Sequence, residues 1–259
     1  MSYLYFPGCK IAHHLPEHGL AVEKVCRALG LELLTPEFSC CGYPVRHESM
    51  DASFFSALRS LALAQNLGLD LLTPCKCCFG NFQHAMHRIR QDENLKFRMK
   101  KLLGAEGLDL PTTARARHLL QVLDQDVGAT RLADMVGPGL KGLRVACHYG
   151  CHALRPENIT HFDDPLGPTI FERLVKALGA TPVNWELRLE CCGYPLRGRD
   201  DRMADGLMLK KWASAGQAGA DVLATACTYC QLQFGRVRNE DGLRAELYPV
   251  LLARALGIG

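Results

Sequence analysis

No stretch of this chain approaches the ~18 consecutive apolar residues of a membrane-spanning helix. Its opening, MSYLYFPGCK, lacks the basic segment and apolar core of a secretory signal. It has no excess of charge and no Lys/Arg-rich run: 30 basic against 27 acidic residues leave a net charge of +3, too little to argue for a nucleic-acid partner. These absences lead to the expectation of a cytoplasmic protein with no direct membrane span and no nucleic acid. What is present is 259 residues, 48% hydrophobic and 22% charged, the make-up of one large globular domain or two ordinary ones.

Cysteine is the exception. Thirteen cysteines, an odd number spread along a long chain without an export signal, do not suit a disulfide scaffold, which is short, secreted and usually even-numbered. Thiols in clustered spacings inside a reducing compartment usually bind metal.

The chain repeats itself. Residues 8–82 open with GCK, pass through a helical stretch to SCCGYPVR and end in PCKCCFGNF. Residues 150–234 open with GCH, pass through a helical stretch to ECCGYPLR and end in ACTYCQLQF. Cys9 thus answers to Cys151, Cys40 and Cys41 to Cys191 and Cys192, Cys75 to Cys227, and Cys78 to Cys230, with a longer insertion near residues 152–165. Tyr3–Pro7 and Leu143–Tyr149 read as short buried strands delivering Cys9 and Cys151, and residues 31–34 and 181–185 as second strands. His18–Gly30, Thr169–Gly179, Asp51–Leu67 and Asp201–Ala218 carry helical spacing. DLLTPC and DVLATAC read as strands that each feed a CxxC into a helix. The expected fold is α/β, with two pseudo-symmetric halves of parallel-sheet βα units and the sites at the C-terminal ends of the strands. Residues 1–123 form the first cysteine-rich half, with a helical appendage from residue 83. Residues 124–142, with their Gly-Pro-Gly, are the linker, and 143–259 the second half. The apolar stretch Tyr248–Leu256 is expected to close the second half's core.

Each half has the pattern C-x(30–39)-CC-x(33–34)-CxxC. A structural zinc takes four ligands and has no use for a fifth thiolate. Adjacent cysteines close poorly on one small ion but can bind two irons a few ångströms apart. CxxC alone serves zinc and iron–sulfur sites equally; the five-cysteine set, repeated, favours iron. Ordinary four-iron clusters use four thiolates, so five leave either a spectator or an unusual, extra-ligated cluster. One four-iron cluster plus a structural zinc in the first half is the alternative that the extra Cys77 keeps open.

CCGYP in both halves, with HYGCH and CTYCQLQF in the second, resembles the catalytic B subunit of heterodisulfide reductase, the family with tandem cysteine-rich CCG domains and with relatives in sulfur-oxidising bacteria. The match runs from Cys9 to Phe234. The resemblance implies two noncubane [4Fe-4S] clusters, one held by Cys9, Cys40, Cys41, Cys75 and Cys78, the other by Cys151, Cys191, Cys192, Cys227 and Cys230. It implies that a disulfide is split between them, with Cys41 and Cys192 essential to activity. Electrons would come from a ferredoxin-like C-type subunit and a flavin-containing A-type subunit. The substrate would be a disulfide, a thiol or a lipoyl protein, the last in relatives that run related chemistry oxidatively. CCG domains also serve as electron-transfer modules beside organic-acid dehydrogenases, though this chain has no C-x2-C-x2-C-x3-C-P run.

Outside the ten, Cys77 stands where the second half has Tyr229, as a packed thiol or an exchangeable ligand. Cys147 reads as a buried strand residue or a substitute for Cys151, and Cys26 as core. Arg46 and Arg197 follow CCGYP with one residue between; each favours thiolates and can hold an anionic substrate group, or forms a surface salt bridge. His148 and His152 flank Cys151, as proton donors or as capping and surface histidines; His13 and His14 follow Cys9 less closely. Gly42 and Gly193 permit the sharp turn after two adjacent ligands, and Tyr43 and Tyr194 wall the sites against water.

Overall fold

The computed structural model describes residues 1–237 and 242–259. In the first half, short runs form β1 (Ser2–Tyr5), β2 (Glu32–Leu34), β3 (Leu71–Thr73) and β4 (Ala116–His118). In the second they form β5 (Arg144–His148), β6 (Thr181–Val183), β7 (Val222–Thr225) and β8 (Arg244–Leu247). Each set makes a four-stranded, all-parallel sheet, in the orders β2-β1-β3-β4 and β6-β5-β7-β8. The registers correspond: Leu4 pairs with Leu34 and Leu71, and Ala146 with Val183 and Leu223. The edge strands β4 and β8 were not expected. Residues such as Arg117 and Glu246 break the apolar run that marks the wholly buried β3 and β7, because an edge strand need not be apolar throughout.

Parallel neighbours require crossovers, and helices supply them. Pro16–Ala28 and Ile170–Ala177 carry the chain to the second strands; Met50–Asn66 and Asp201–Gln217 carry it back to the third. The latter pair begin alike, Ser49 accepting from the Ala52 N–H at 3.1 Å and Asp200 from the Met203 N–H at 2.9 Å, which satisfies an otherwise orphaned donor. After β3 run helices Lys76–Gln91 and Glu93–Ala105, and after β7 the shorter Thr228–Phe234.

Strand side chains alternate between two cores. Tyr3 and Tyr5 share one with Val145, Cys147 and Val222, whereas Leu4 and Leu71 share the other with Ala146, Leu223 and most of the paired cysteines. Both cores draw on both halves. Residues 124–142 are packed into this arrangement: helix Ala129–Met135 buries Leu132, Arg131 donates to the Leu29 carbonyl at 2.9 Å, and the Leu140 N–H donates to the Leu178 carbonyl at 2.7 Å. The last helix, Tyr248–Ala255, packs against Pro16–Ala28 of the first half, and the Tyr248 hydroxyl donates to the Leu174 carbonyl at 3.1 Å. Among the described residues no helix is long and apolar enough to cross a membrane.

Candidate metal and redox centre

Strand ends and helix starts place the thiols. Cys9 and Cys151 are the first residues of helices just beyond β1 and β5, and Cys75 and Cys227 precede the helices that follow β3 and β7. Backbone N–H groups at such starts favour a thiolate. The CC pairs come from the loops after β2 and β6, where Gly42 and Gly193 adopt φ of +86° and +85°. A Cβ there would lie 2.3 Å from the Ser53 carbonyl oxygen or 2.6 Å from that of Ala204. The expected sharp turn is therefore also a close approach to the next helix, which glycine alone permits.

Each half gathers its five thiols into one chain of contacts. In the first it runs Cys9–Cys40–Cys41–Cys78–Cys75, in the second Cys151–Cys191–Cys192–Cys230–Cys227. Cys9 Sγ and Cys40 Sγ are 3.9 Å apart, well beyond a disulfide bond of about 2.05 Å, and all thirteen cysteines are free. The Cys41 and Cys9 thiols both bond to Cys40 and hold its pKa down to about 3; Cys151 and Cys192 hold Cys191 down to about 2. The same bonds push Cys9, Cys41 and Cys151 up, and Cys192 up to about 12. Ionising a whole set would crowd like charges together, a cost that bound cations remove. Five soft sulfurs in contact suit a multi-iron group better than one four-coordinate ion.

The two sets meet. Cys77 Sγ lies 3.6 Å from Cys227 Sγ, and the Thr228 hydroxyl donates to Cys75 Sγ at 3.2 Å. Cys77, the departure from the repeat, thus sits between the sets. Cys147 is buried outside the thiol chain, its carbonyl accepting from the Trp185 indole at 3.2 Å, and Cys26 is fully buried in the core.

His148 is fully buried, not a surface residue. Its Nε2 is 3.2 Å from Cys230 Sγ, and the donor atoms of His148, Cys192 and Cys230 lie within 4.8 Å of one another. Burial holds it neutral, and its Nδ1 has no partner among the described residues. His152 Nε2 is 2.8 Å from the Tyr43 hydroxyl, a bond between the halves, and burial lowers its pKa to about 4. His13 and His14 are exposed. Two residues passed over in the sequence, Lys76 and Lys211, are each only 1% exposed. Burial lowers both to about 8 while neighbouring thiols pull the other way. The signal for Lys76 was its place inside a CxxC; Lys211 sits in a helical pattern that gave none.

A cleft of about 330 Å³ opens between the CCGYP turns, lined by Cys9 and by Tyr43, Tyr194 and Tyr229. Tyr229, also missed, packs between the other two, tilted against Tyr43 with ring centres 5.5 Å apart and edge-on to Tyr194 at 4.8 Å. Lys10, Arg46 and Arg197 line the same cleft, but the arginines differ. Arg46 lies 3.6 Å over the Tyr43 ring, donates to the Tyr43 carbonyl at 2.7 Å, and has no carboxylate partner among the described residues. Arg197 is tied to Asp205, to Asp201 at 3.6 Å and to Gln233 at 2.9 Å.

The chain matches the family described as cysteine-rich domain (CCG) twice, at residues 3–83 and 145–235. It is 31% identical to the B subunit of the ferredoxin/F(420)H(2)-dependent CoB-CoM heterodisulfide reductase of Methanosarcina acetivorans, over 97% of this chain and 88% of that one. It is 30% identical to a protein of Archaeoglobus profundus named as similar to the heterodisulfide reductase B subunit, over 97% and 87%. It is 33% identical to the 8-methylmenaquinol:fumarate reductase membrane anchor subunit of Wolinella succinogenes, over 99% and 91%. The crystal structure of a hypothetical protein from Helicobacter pylori superposes with a TM-score of 0.77 at 13% identity, over 99% of this chain and 49% of that one. That likeness shows the fold, and this chain spans about half of that protein's length. The family's cysteine-rich domains imply iron–sulfur clusters, and these relatives are named as subunits or as similar to one, so other subunits are implied. The chain belongs to the family of tandem CCG cysteine-rich domain proteins that includes the B subunit of heterodisulfide reductase.

Proposed function

We propose that this chain is the thiol–disulfide redox subunit of a larger cytoplasmic complex, with one noncubane [4Fe-4S] cluster in each thiol set. The observation that carries this reading is that two equivalent five-thiol sets meet, Cys75 bonding to Cys227 and Cys77 lying 3.6 Å from Cys227, beside a tyrosine-walled cleft that reaches Cys9. Cys9, Cys40, Cys41, Cys75 and Cys78 hold the first cluster, and Cys151, Cys191, Cys192, Cys227 and Cys230 the second. When bound, such clusters supply electrons one at a time and iron sites with affinity for sulfur.

The chain's own residues bind, shield and move protons. Reduction of RS–SR′ to two thiols consumes two electrons and two protons. The electrons come from partner subunits, one ferredoxin-like and one flavin-containing. Protons pass from the cleft through the Tyr43–His152 hydrogen bond toward the second set. Arg46, free of carboxylates among the described residues, holds an anionic group of the substrate, while Tyr43, Tyr194 and Tyr229 exclude water. Run in reverse, the same site oxidises a dithiol or takes sulfur carried on a lipoyl protein.

The likeness to a fumarate reductase subunit favours a second reading, a plain electron-transfer module. Added thiols and disulfides would then leave the cluster spectra unchanged, whereas a substrate site perturbs them. The first test is iron, acid-labile sulfide and zinc per chain, on protein purified without oxygen. About eight iron and eight sulfide support two clusters. About four of each with one zinc make the first half a structural zinc domain and end the two-cluster mechanism.

A further inference from the structure

Resting on the two-cluster reading, the two sites are electrostatically unequal, and the inequality has a structural source. Lys76 belongs to the first half's CxxC, yet its side chain serves the second half. Its ammonium donates to the Tyr149 carbonyl and lies 4.9 Å from the Tyr149 ring centre and 5.3 Å from those of Phe162 and Phe171. Phe162 comes from the insertion that only the second half carries. A Cβ on Gly150 would meet Lys76 Cδ at 3.5 Å and Cys230 Sγ at 3.7 Å, so the lysine stem and a second-set thiol press on the same glycine. The acid on this wall, Glu172, is engaged by Arg188 at 2.9 Å and by the Tyr149 hydroxyl. A buried ammonium without a carboxylate partner is costly, and the anion on hand is the second thiol set.

The reciprocal position shows what the first set receives. Thr228, which answers to Lys76 in the second CxxC, also crosses over, but brings only a hydroxyl to Cys75 at 3.2 Å. Lys211, on helix Asp201–Gln217, donates to the Leu187 carbonyl and lies 4.6 Å from the Trp185 ring centre. Its counterpart in the first half is Ser60, which donates to the Ser56 carbonyl at 3.3 Å. Each CxxC therefore lends a residue to the opposite set, and the two lysines buried among the described residues, Lys76 and Lys211, both lie by the second.

We propose that Lys76, seconded by Lys211, raises the reduction potential of the second-half cluster above that of the first, so that the second site is the electron-accepting end of the pair. Adding one electron makes a cluster more negative, and a cation held in a dry, low-dielectric wall favours that state over the oxidised one. No bond changes in this step; the electron comes from the reductant, and Lys76 acts as a positioning residue for charge.

Redox titration of the iron-loaded full chain, followed by electron paramagnetic resonance, tests this. Signals are assigned by their loss in Cys41→Ala and Cys192→Ala. Lys76→Met is expected to move the second-half midpoint to more negative potential and leave the first unmoved, Lys76→Arg to keep it near the wild-type value, and Thr228→Val to move only the first, by less. If Lys76→Met leaves both midpoints in place, or moves both equally, the proposal is overturned. If that variant cannot hold iron, Lys211→Met is read instead: a negative shift of the second midpoint alone supports the proposal, and no shift overturns it. A wild-type chain that binds fewer than two clusters fails at the iron count, before any titration, and removes the two-cluster reading together with this inference.

Discussion

In the first half, the residue ending β1's apolar run is Phe6, the buried helix position that answers to Lys211 is Ser60, and the variable residue inside the CxxC is Cys77. In the second half, the corresponding positions hold His148, Lys211 and Tyr229. Around these differences the backbone repeats closely: the same strand order, the same pairing of Leu4 and Ala146, the same positive-φ glycine after the CC pair. Gathering five thiols dictates the backbone, so that part is duplicated. What surrounds the thiols is not dictated by ligation, and there the halves have diverged, toward a first set whose neighbouring lysine, Lys10, is only half-buried at the cleft and a second set beside two buried lysines and a buried histidine.

The comparison breaks most visibly at the ligands. Cys41→Ala and Cys192→Ala should each lose about half of the iron and all turnover with a disulfide, measured by metal analysis and steady-state assay. Equal losses match the equivalent thiol chains; a variant that keeps full iron and full turnover removes that cysteine from the ligand set. Next come the turns. Gly42→Ala and Gly193→Ala each place a methyl against backbone, at a φ that side chains resist, and each should cost about 3 kcal/mol in urea unfolding. Gly142, at φ +86° with nothing within 4 Å of its Cβ position, isolates the backbone share, and Gly142→Ala should cost only about 1 kcal/mol. If all three cost the same, the contacts with Ser53 and Ala204 do not constrain the site.

What the sequence made legible follows the same division. The repeat pointed to all ten paired cysteines, and six of the eight strands among the described residues were anticipated, four of them from apolar runs that lead into a landmark cysteine. β4 and β8 escaped because edge strands with Arg117 or Glu246 show no such run. The shared cores were hidden too, since periodicity reports that a face is buried and not whose face covers it; nothing in Tyr248–Ala255 says that it packs on Pro16–Ala28. Lys76 and Lys211 were passed over because lysine is rarely buried. His148 was in view and inside the expected strand Leu143–Tyr149, which the structure bears out, but strand alternation does not say that its ring meets Cys230.

The arginines sharpen the comparison at the cleft. Arg46→Ala should raise KM for an anionic disulfide about tenfold, the worth of one charge-assisted hydrogen bond, with little change for a neutral disulfide. Arg197 is bound up with Asp201, Asp205 and Gln233, so Arg197→Ala should leave both KM values alone and cost stability by about 0.5 kcal/mol. Equal effects on KM would mean that both cations face the substrate.

The smallest effect expected is at the tyrosines, and it isolates one bond. Tyr43 and Tyr194 occupy the same place in CCGYP, but only Tyr43 reaches a histidine of the other half; the Tyr194 hydroxyl has no hydrogen-bond partner among the described residues. Both keep their rings against Tyr229 when changed to Phe, so packing cancels between the two variants. Tyr43→Phe should then cost about 1 kcal/mol, because His152 is buried and loses its partner. Tyr194→Phe should stay within about 0.5 kcal/mol of wild type. Proton delivery adds a second readout: Tyr43→Phe should slow turnover and deepen the solvent isotope effect, and Tyr194→Phe should do neither. Matching isotope effects in the two variants would take the Tyr43–His152 bond out of the proton path while leaving it as a tie between the halves.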